Sequence, residues 1–312
     1  MTTETPSEKT AFTNAYGGFW TDLQNSLDLL AGKLELGWIS EDEARLLRDW
    51  IHNGYVVIPN AIPDNLIDAV NSDIERVLNA SPSVCRTSFW RDGKKFWEPA
   101  VKEHMLEEEA KLLDLHMVSE AARRAIFSER VHRFLTLVFE RLPVAFQSLS
   151  FEYGSQQPTH CDIAFVHVSS PREFIASWIA LEDIEPGSGE LQYYPGSHRL
   201  GDVVFENDSV WAAGDLSKYS DGLDKAAASA GLELQRFTPS KGDVLLWSSG
   251  LYHGGSPRTN HQLSRKSLVT HYLPRGRQPQ PPIDPTRIFP TNYKGFVCSE
   301  GTPLMVIQEN PD

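Results

Sequence analysis

His160 and Asp162 stand two residues apart in the stretch Thr159-His160-Cys161-Asp162. In extended backbone, side chains at i and i+2 leave the same face. An imidazole and a carboxylate would therefore project together, as two of the three protein ligands in the two-histidine, one-carboxylate sites of non-haem iron(II) chemistry. A lone His-x-Asp is common by chance and is more often a surface loop than a ligand pair. The pair gains meaning only if a second histidine joins it from elsewhere in the chain.

Ten histidines are available. His52, His104, His116 and His132 fall in the half of the chain with helical periodicity, where a single histidine is usually a surface or core residue. His167 is an odd number of residues from His160 and points the other way on an extended strand. His198, His253, His261 and His271 remain. His253 follows a strand-like run from Asp243 to Trp247 and a turn, and Gly254 and Gly255 after it allow close backbone approach. Arg265 lies twelve residues beyond His253, and Ser267 shares its face. A guanidinium beside a hydroxyl suits the distal carboxylate of a dicarboxylic acid. Alone, Arg265 reads as a surface ion pair. His198, in Pro195-Gly196-Ser197-His198, reads as a hydrogen-bonded turn residue, and His271 as a core or pocket-wall residue.

These residues need a scaffold, and its elements are visible as changes of period. Residues 1 to about 15 are polar and expected to be flexible. Helical spacing runs from about Thr21 to Glu35, from an N-cap at Ser40 to about His52, and from Pro63 with Leu66, Ile67, Val70 and Ile74 facing inward. Gly54-Tyr55-Val56-Val57-Ile58 is a short strand between them. From Ser81 to about Glu109 the period is poor, and Arg86, Trp90, Arg91, Lys94, Lys95, Phe96 and Trp97 crowd together. That stretch reads equally as a lid or as a surface loop. Two more helical segments follow, near Val118 to Phe127 and Glu129 to Phe139. From Pro143 the period changes to two: strands are expected over Val144–Tyr153, from His160 through about Val168, and over Ile175–Ile184, Glu190–Tyr194, Leu232–Phe237, Asp243–Trp247 and Lys266–Leu273. A helix is expected within Asp221–Ala230. Helices first and short strands after predict an α+β fold, a β-sandwich or barrel buttressed by helices. One domain is expected over 16–275, with a helical buttress at 16–140, a strand-rich core at 141–275 and a proline-rich extension at 276–312.

Composition narrows the partners. A net charge of −13 repels phosphate backbones, so nucleic acid is not an expected partner. Three scattered cysteines form no Cys-x-x-Cys pair, which suggests reduced thiols and a cytoplasmic setting. The opening residues carry no apolar signal region, and no apolar run is long enough to span a membrane.

His160-x-Asp162, His253 and Arg265, together with Trp178-Ile179-Ala180-Leu181-Glu182-Asp183 and Gly189-Glu190-Leu191 ahead of Pro195-Gly196-Ser197-His198, resemble the phytanoyl-CoA dioxygenase family of Fe(II)/2-oxoglutarate oxygenases. The Gly54–Ile58 segment is similar to that family's opening strand, and the resemblance covers roughly residues 45 to 275. It implies a double-stranded β-helix (jelly-roll, cupin-like) core with iron at its open end. It also implies that His160, Asp162 and His253 ligate Fe(II), that Arg265 and Ser267 hold the 2-oxoglutarate carboxylate, and that Trp178 lies beside this co-substrate. Dioxygen would be the oxidant, with succinate and carbon dioxide as co-products. Halogenating relatives lack the carboxylate ligand, so Asp162 implies hydroxylation of a small organic substrate, or a related desaturation or epoxidation. The chain departs from the family at Cys161, where glutamine is usual, and by one extra residue between His253 and Arg265, which makes Ser256 a candidate second hydroxyl. Trp90, Phe96, Trp97, Phe165 and Trp211, with Arg86, Arg91 and Lys94, are candidate pocket residues. Two other readings compete: a non-catalytic metal-binding or ligand-sensing jelly roll, and a cupin-like enzyme that needs no 2-oxoglutarate.

Overall fold

The computed structural model describes residues 11–14, 16–201, 203–205, 209–212 and 216–298. Most of the expected flexible N-terminus, and the end of the proline-rich extension, lie outside them. In chain order the elements are α1 (Ser26–Glu35), α2 (Glu41–Asn53), β1 (Tyr55–Ile58), α3 (Asp64–Leu78), β2 (Arg86–Arg91), β3 (Lys94–Pro99), β4 (Glu108–Leu113), α4 (Glu120–Ile126), α5 (Glu129–Phe139), β5 (Pro143–Phe151), β6 (Ile175–Ala180) and β7 (Leu191–Tyr193). They continue as α6 (Leu216–Ser229), β8 (Gln235–Phe237), β9 (Val244–Ser248), β10 (His253–Gly255), β11 (Ser267–Pro274), β12 (Phe289–Pro290) and β13 (Phe296–Val297).

Local chemistry sets the helix ends. The Ser40 side chain accepts the Glu43 amide and the Glu43 carboxylate accepts the Ser40 amide, satisfying two end donors of α2 reciprocally. Gly54 closes the same helix in the left-handed conformation, with φ 75°.

Two sheets form the core. The larger runs β1-β9-β6-β11-β5-β4-β2-β3, with β12 and β13 attached beside β5; the smaller runs β10-β7-β8. Strand alternation decides what faces the space between them. Trp178 on β6, Leu245 and Trp247 on β9, and Val269 on β11 meet Leu191, Tyr193 and Phe237 from the smaller sheet in one apolar cluster. The intervening residues, Ile175 and Ile179, Val244 and Leu246, Leu268 and Tyr272, pack instead against α2, α3, α4 and α5. Both faces of the central strands are covered, which is why β6 and β11 are buried along their whole length. The fold is α+β, a double-stranded β-helix with its helices on one side.

Two stretches differ from the sequence reading. Residues 81–109 are not an irregular loop: β2 and β3 form a hairpin, with Ser88 opposite Trp97 and Trp90 opposite Lys95, and β4 joins it to β5. Phe89 stacks on Phe96 across the hairpin, and Asp92 and Gly93 turn with φ 51° and 69°. A bulge between Ser88 and Trp90 breaks the alternation that would have revealed the strand. Conversely, no strand runs from His160 to Val168. One bridge pairs His160 with His253, and the chain then turns into a short 3-10 helix, Asp162–Ala164. Among the described residues no helix is long and apolar enough to cross a membrane, and the three cysteines are buried thiols.

Candidate metal centre

The same-face relation between His160 and Asp162 survives the loss of the strand. Cys161 between them is extended (φ −121°, ψ 145°), so the two neighbours project together while Cys161 turns into an apolar cluster with α6, its Sγ 3.0 Å from the Tyr219 hydroxyl. His160 and His253 exchange both backbone hydrogen bonds, each N···O 2.8 Å, which fixes one beside the other. Gly254 and Gly255 are needed for this approach. A Cβ on Gly254 would lie 2.7 Å from the Gln157 carbonyl oxygen, and one on Gly255 2.7 Å from the Gln156 nitrogen.

His160, Asp162 and His253 thereby bring one ligand atom each to within 4.8 Å of one another. His160 Nδ1 is 2.9 Å from the Pro158 carbonyl and His253 Nδ1 2.9 Å from the Leu251 carbonyl. A carbonyl only accepts, so each Nδ1 carries the proton and each Nε2 presents a lone pair. Those Nε2 atoms lie 3.9 and 3.6 Å from Asp162 Oδ1. Three electron-rich atoms thus face one another with no hydrogen between them, a disposition that a cation relieves. Burial, with His253 nearby, pushes the His160 pKa down to about 4, so the ring is neutral at physiological pH. Burial works to raise the Asp162 pKa, but the His253, His271 and His160 rings outweigh it and hold the carboxyl well below the usual range. A neutral His160 and an ionised Asp162 suit metal binding.

Trp247 was missed by motif reasoning. Its indole N–H donates to Asp162 Oδ2 at 2.8 Å, leaving Oδ1 to the two imidazoles. Alternation places Trp247 inward on β9, but nothing in the sequence reveals its partner. Trp247→Phe is expected to weaken divalent-metal binding about 10- to 100-fold, as loss of an outer partner to a ligand does, with little change in unfolding midpoint. Calorimetric titration with Fe(II) or Co(II) measures this, and unchanged affinity would remove Trp247 from the site.

Beside the cluster is a cavity whose walls include Phe151, Gln157, Trp178, Leu191, Trp247, Arg265, Val269 and His271. Arg265 is 3% exposed, and its guanidinium lies 5.5 Å from the Phe151 ring and 5.6 Å from Trp178. Burial pushes its pKa down to about 10, against the pull of Glu190, so it stays charged. Its Nε, the Trp178 indole N–H and the Ser267 hydroxyl are buried without a hydrogen-bond partner. Buried donors left unpaired are costly, and an anion in the cavity would satisfy them. Ser267 shares the Arg265 face but is not part of the cavity wall. Ser256 is engaged elsewhere: it donates to Glu190 at 2.6 Å. Lys111 was also missed. It lies on β4, Nζ 5.8 Å from the Phe151 ring, and among the described residues it makes no ion pair. Burial and Lys95 lower its pKa to about 8, and Glu109 and then Asp162 oppose this, so it remains a cation.

The other candidates lie elsewhere. His198 is buried in a turn against Gly54, where a Cβ would come within 2.4 Å of its ring. His167 stacks on Trp211 at 4.5 Å, and His261 is exposed. His271 is a wall of the cavity, its Nε2 3.5 Å from Asp162 Oδ2. Phe165 meets the His160 ring edge-on at 5.6 Å and is 46% exposed, at the open side of the cluster. Arg91 pairs with Glu107, and Arg86 donates to the Trp97 carbonyl, so neither cation points to the cavity. A larger cleft, about 810 Å³, lies between α2, α5 and Asn292–Lys294 and contains none of these groups.

The sequence matches the family model described as phytanoyl-CoA dioxygenase (PhyH) over residues 50–267. It is 24% identical over 229 residues to the peroxisomal phytanoyl-CoA dioxygenase of Rattus norvegicus and 22% identical to that of Homo sapiens, in each case over 70% of this chain and 65% of the relative. The chain thus spans about two thirds of the length of these curated relatives, 65%. Among solved structures, EctD from S. alaskensis with 2-oxoglutarate and 5-hydroxyectoine superposes with a TM-score of 0.59 at 16% identity, covering 86% of this chain and 89% of EctD. SnoK, a non-haem alpha-ketoglutarate-dependent carbocyclase from nogalamycin biosynthesis, gives 0.58 at 16% identity, covering 79% and 88%. These likenesses show that the chain shares the fold of both proteins.

Proposed function

Because the chain belongs to the phytanoyl-CoA dioxygenase family, we propose that it is an Fe(II)- and 2-oxoglutarate-dependent dioxygenase that hydroxylates a small organic substrate at an unactivated C–H bond. Succinate and carbon dioxide are its co-products. One observation carries this reading: three converging donor side chains share a cavity with a buried arginine that, among the described residues, has no carboxylate in contact. A metal site alone would not need that arginine, and a cupin-like enzyme without 2-oxoglutarate would leave it unexplained.

Iron(II) bound with 2-oxoglutarate supplies dioxygen activation coupled to oxidative decarboxylation. The chain's part is to position and to shield. His160 and His253 offer Nε2, and Asp162 offers Oδ1, from one side, which leaves the other positions to ligands from the cavity. Trp247 fixes the Asp162 carboxylate from behind. Arg265 would receive the distal carboxylate of 2-oxoglutarate, with the Trp178 N–H on the wall beside it and Ser267 on the same face outside that wall. A dicarboxylate brings a second negative charge near the metal, and Lys111, with Glu109 and Asp162 as its charged neighbours, is a nearby cation. Phe151, Leu191 and Val269 keep this end of the cavity dry. Asp162 would supply a carboxylate ligand to the metal beside His160 and His253, a donor set that favours hydroxyl transfer.

The test is isotopic. Fe(II)-loaded protein with 2-oxoglutarate and a substrate found by stimulated decarboxylation is run under ¹⁸O₂. The expected product is heavier by one labelled oxygen, and label from water alone, or a product without added oxygen, would overturn hydroxylation.

A further inference from the structure

The convergence of His160 and Asp162 depends on the backbone of the residue between them. Cys161 is extended, and a rotation there would swing the imidazole and the carboxylate to different sides. No strand ladder enforces that conformation, because the bridge to His253 stops at His160. Neighbouring amides find backbone carbonyls: His160 donates to that of His253, Ile163 to Ser249, Ala164 to Cys161, and Phe165 and Val166 to Asp162. The Cys161 amide donates instead to a side chain, the Tyr219 hydroxyl, at 3.2 Å and 58 residues away in the chain. The same hydroxyl lies 3.0 Å from Cys161 Sγ. Cys161 is buried, so this hydroxyl stands where water would otherwise have to satisfy the amide. Tyr219 is itself held firmly. It begins the buried stripe Tyr219, Leu223 and Ala227 of α6, each one helical turn from the last, and its ring packs on Phe205 at 5.0 Å. The helix is tied in turn to the second ligand segment. Asp224 accepts the Tyr194 hydroxyl at 3.2 Å, and the Tyr194 amide donates at 2.9 Å to the carbonyl of Tyr252, the residue before His253. One helix thus sets both ligand segments in a common frame.

We propose that Tyr219 is a positioning residue of the metal centre: its hydroxyl holds the Cys161 peptide extended, and so keeps His160 Nε2 and Asp162 Oδ1 on the side where His253 meets them. Without the hydroxyl the Cys161 amide is buried and unpaired, and the segment gains by turning it toward water. A metal ion must then restore the extended form as it binds. That lowers its affinity by the fraction of molecules already in that form, and lets the ligands settle in more than one geometry. Tyr219 touches neither the metal nor a ligand side chain in this role; it acts through the peptide that joins two ligands.

The proposal rests on the metal centre of the oxygenase reading and not on its chemistry, and the experiment separates the two. Co(II) binding to the full chain is measured by calorimetry, and the visible absorption of bound Co(II) reports the ligand geometry. Tyr219→Phe keeps the ring on Phe205 and removes only the hydroxyl. It is expected to bind Co(II) about tenfold more weakly than wild type, with the visible bands of the bound ion shifted. Leu223→Ala loosens the same stripe of α6 and leaves the hydroxyl in place. It is expected to lower the unfolding midpoint while Co(II) affinity and bands stay as in wild type. Wild-type affinity and bands in Tyr219→Phe would overturn the proposal. An equal loss of affinity in Leu223→Ala would also overturn it, because Tyr219 would then be one packing residue among several. Wild-type protein that binds no Co(II) would remove the metal centre and this role with it. Succinate formation by Fe(II)-loaded wild type is scored separately: its absence, with the Tyr219→Phe loss intact, counts against the oxygenase reading alone.

Discussion

His253→Ala is expected to lower Fe(II) affinity by more than about 100-fold, and 2-oxoglutarate turnover with it, while His198→Ala keeps both. The asymmetry follows from what each ring can reach. His253 Nδ1 is 2.9 Å from the Leu251 carbonyl, which turns Nε2 toward Asp162 Oδ1 at 3.6 Å. Removing it leaves one imidazole and one carboxylate, too few to hold a divalent ion against water. His198 is packed on the far side of a turn against Gly54, and burial, with Arg199 and Arg172, pushes its pKa down to about 3. Its loss opens space in the packing and is read as a lower unfolding midpoint, not as lost metal. Fe(II) titration monitored by calorimetry, beside chemical denaturation of both variants, makes the comparison. Retained affinity in His253→Ala with loss in His198→Ala would reassign the third ligand.

Arg265→Met is expected to raise the KM for 2-oxoglutarate at least about 30-fold, with Fe(II) affinity unchanged. Methionine keeps the apolar stem between Phe151 and Trp178 and removes only the charge and its donors. The guanidinium is nearly fully buried and its pull on an anion is little screened, so the effect is far larger than for a surface ion pair. Lysine is expected to rescue only in part, because a point charge does not reproduce the planar fork. A KM that stays put would mean the dicarboxylate lies elsewhere in the cavity.

The convergence of His160 and Asp162 was legible in the sequence for a physical reason: one residue separates them, and where that residue is extended, parity in the chain becomes side in space. His253 and Arg265 entered through the family resemblance, because no local spacing joins them to that pair. Central strands β6 and β9 were visible as largely apolar runs because both their faces are covered. The hairpin β2–β3 was not. Its outer strand exposes Lys94, Lys95 and Trp97, and the bulge at Phe89 shifts the register, so neither alternation nor burial marked it. Trp247 and Lys111 escaped for a different reason. Each acts through a partner far away in the chain, Asp162 for one and Phe151 for the other, and no local spacing encodes such a pair. Ser256 illustrates the converse: its position near His253 suggested a ligand hydroxyl, but the Glu190 carboxylate claims it.

The most direct measurement is succinate formation from 2-oxoglutarate when air is admitted to anaerobically purified, Fe(II)-loaded protein, beside His160→Ala prepared the same way. The expected result is succinate in step with oxygen consumed by the wild type, abolished in His160→Ala. No succinate from wild-type protein that binds both Fe(II) and 2-oxoglutarate would contradict the oxygenase, and the chain would then be a jelly roll that binds these ligands without turning them over.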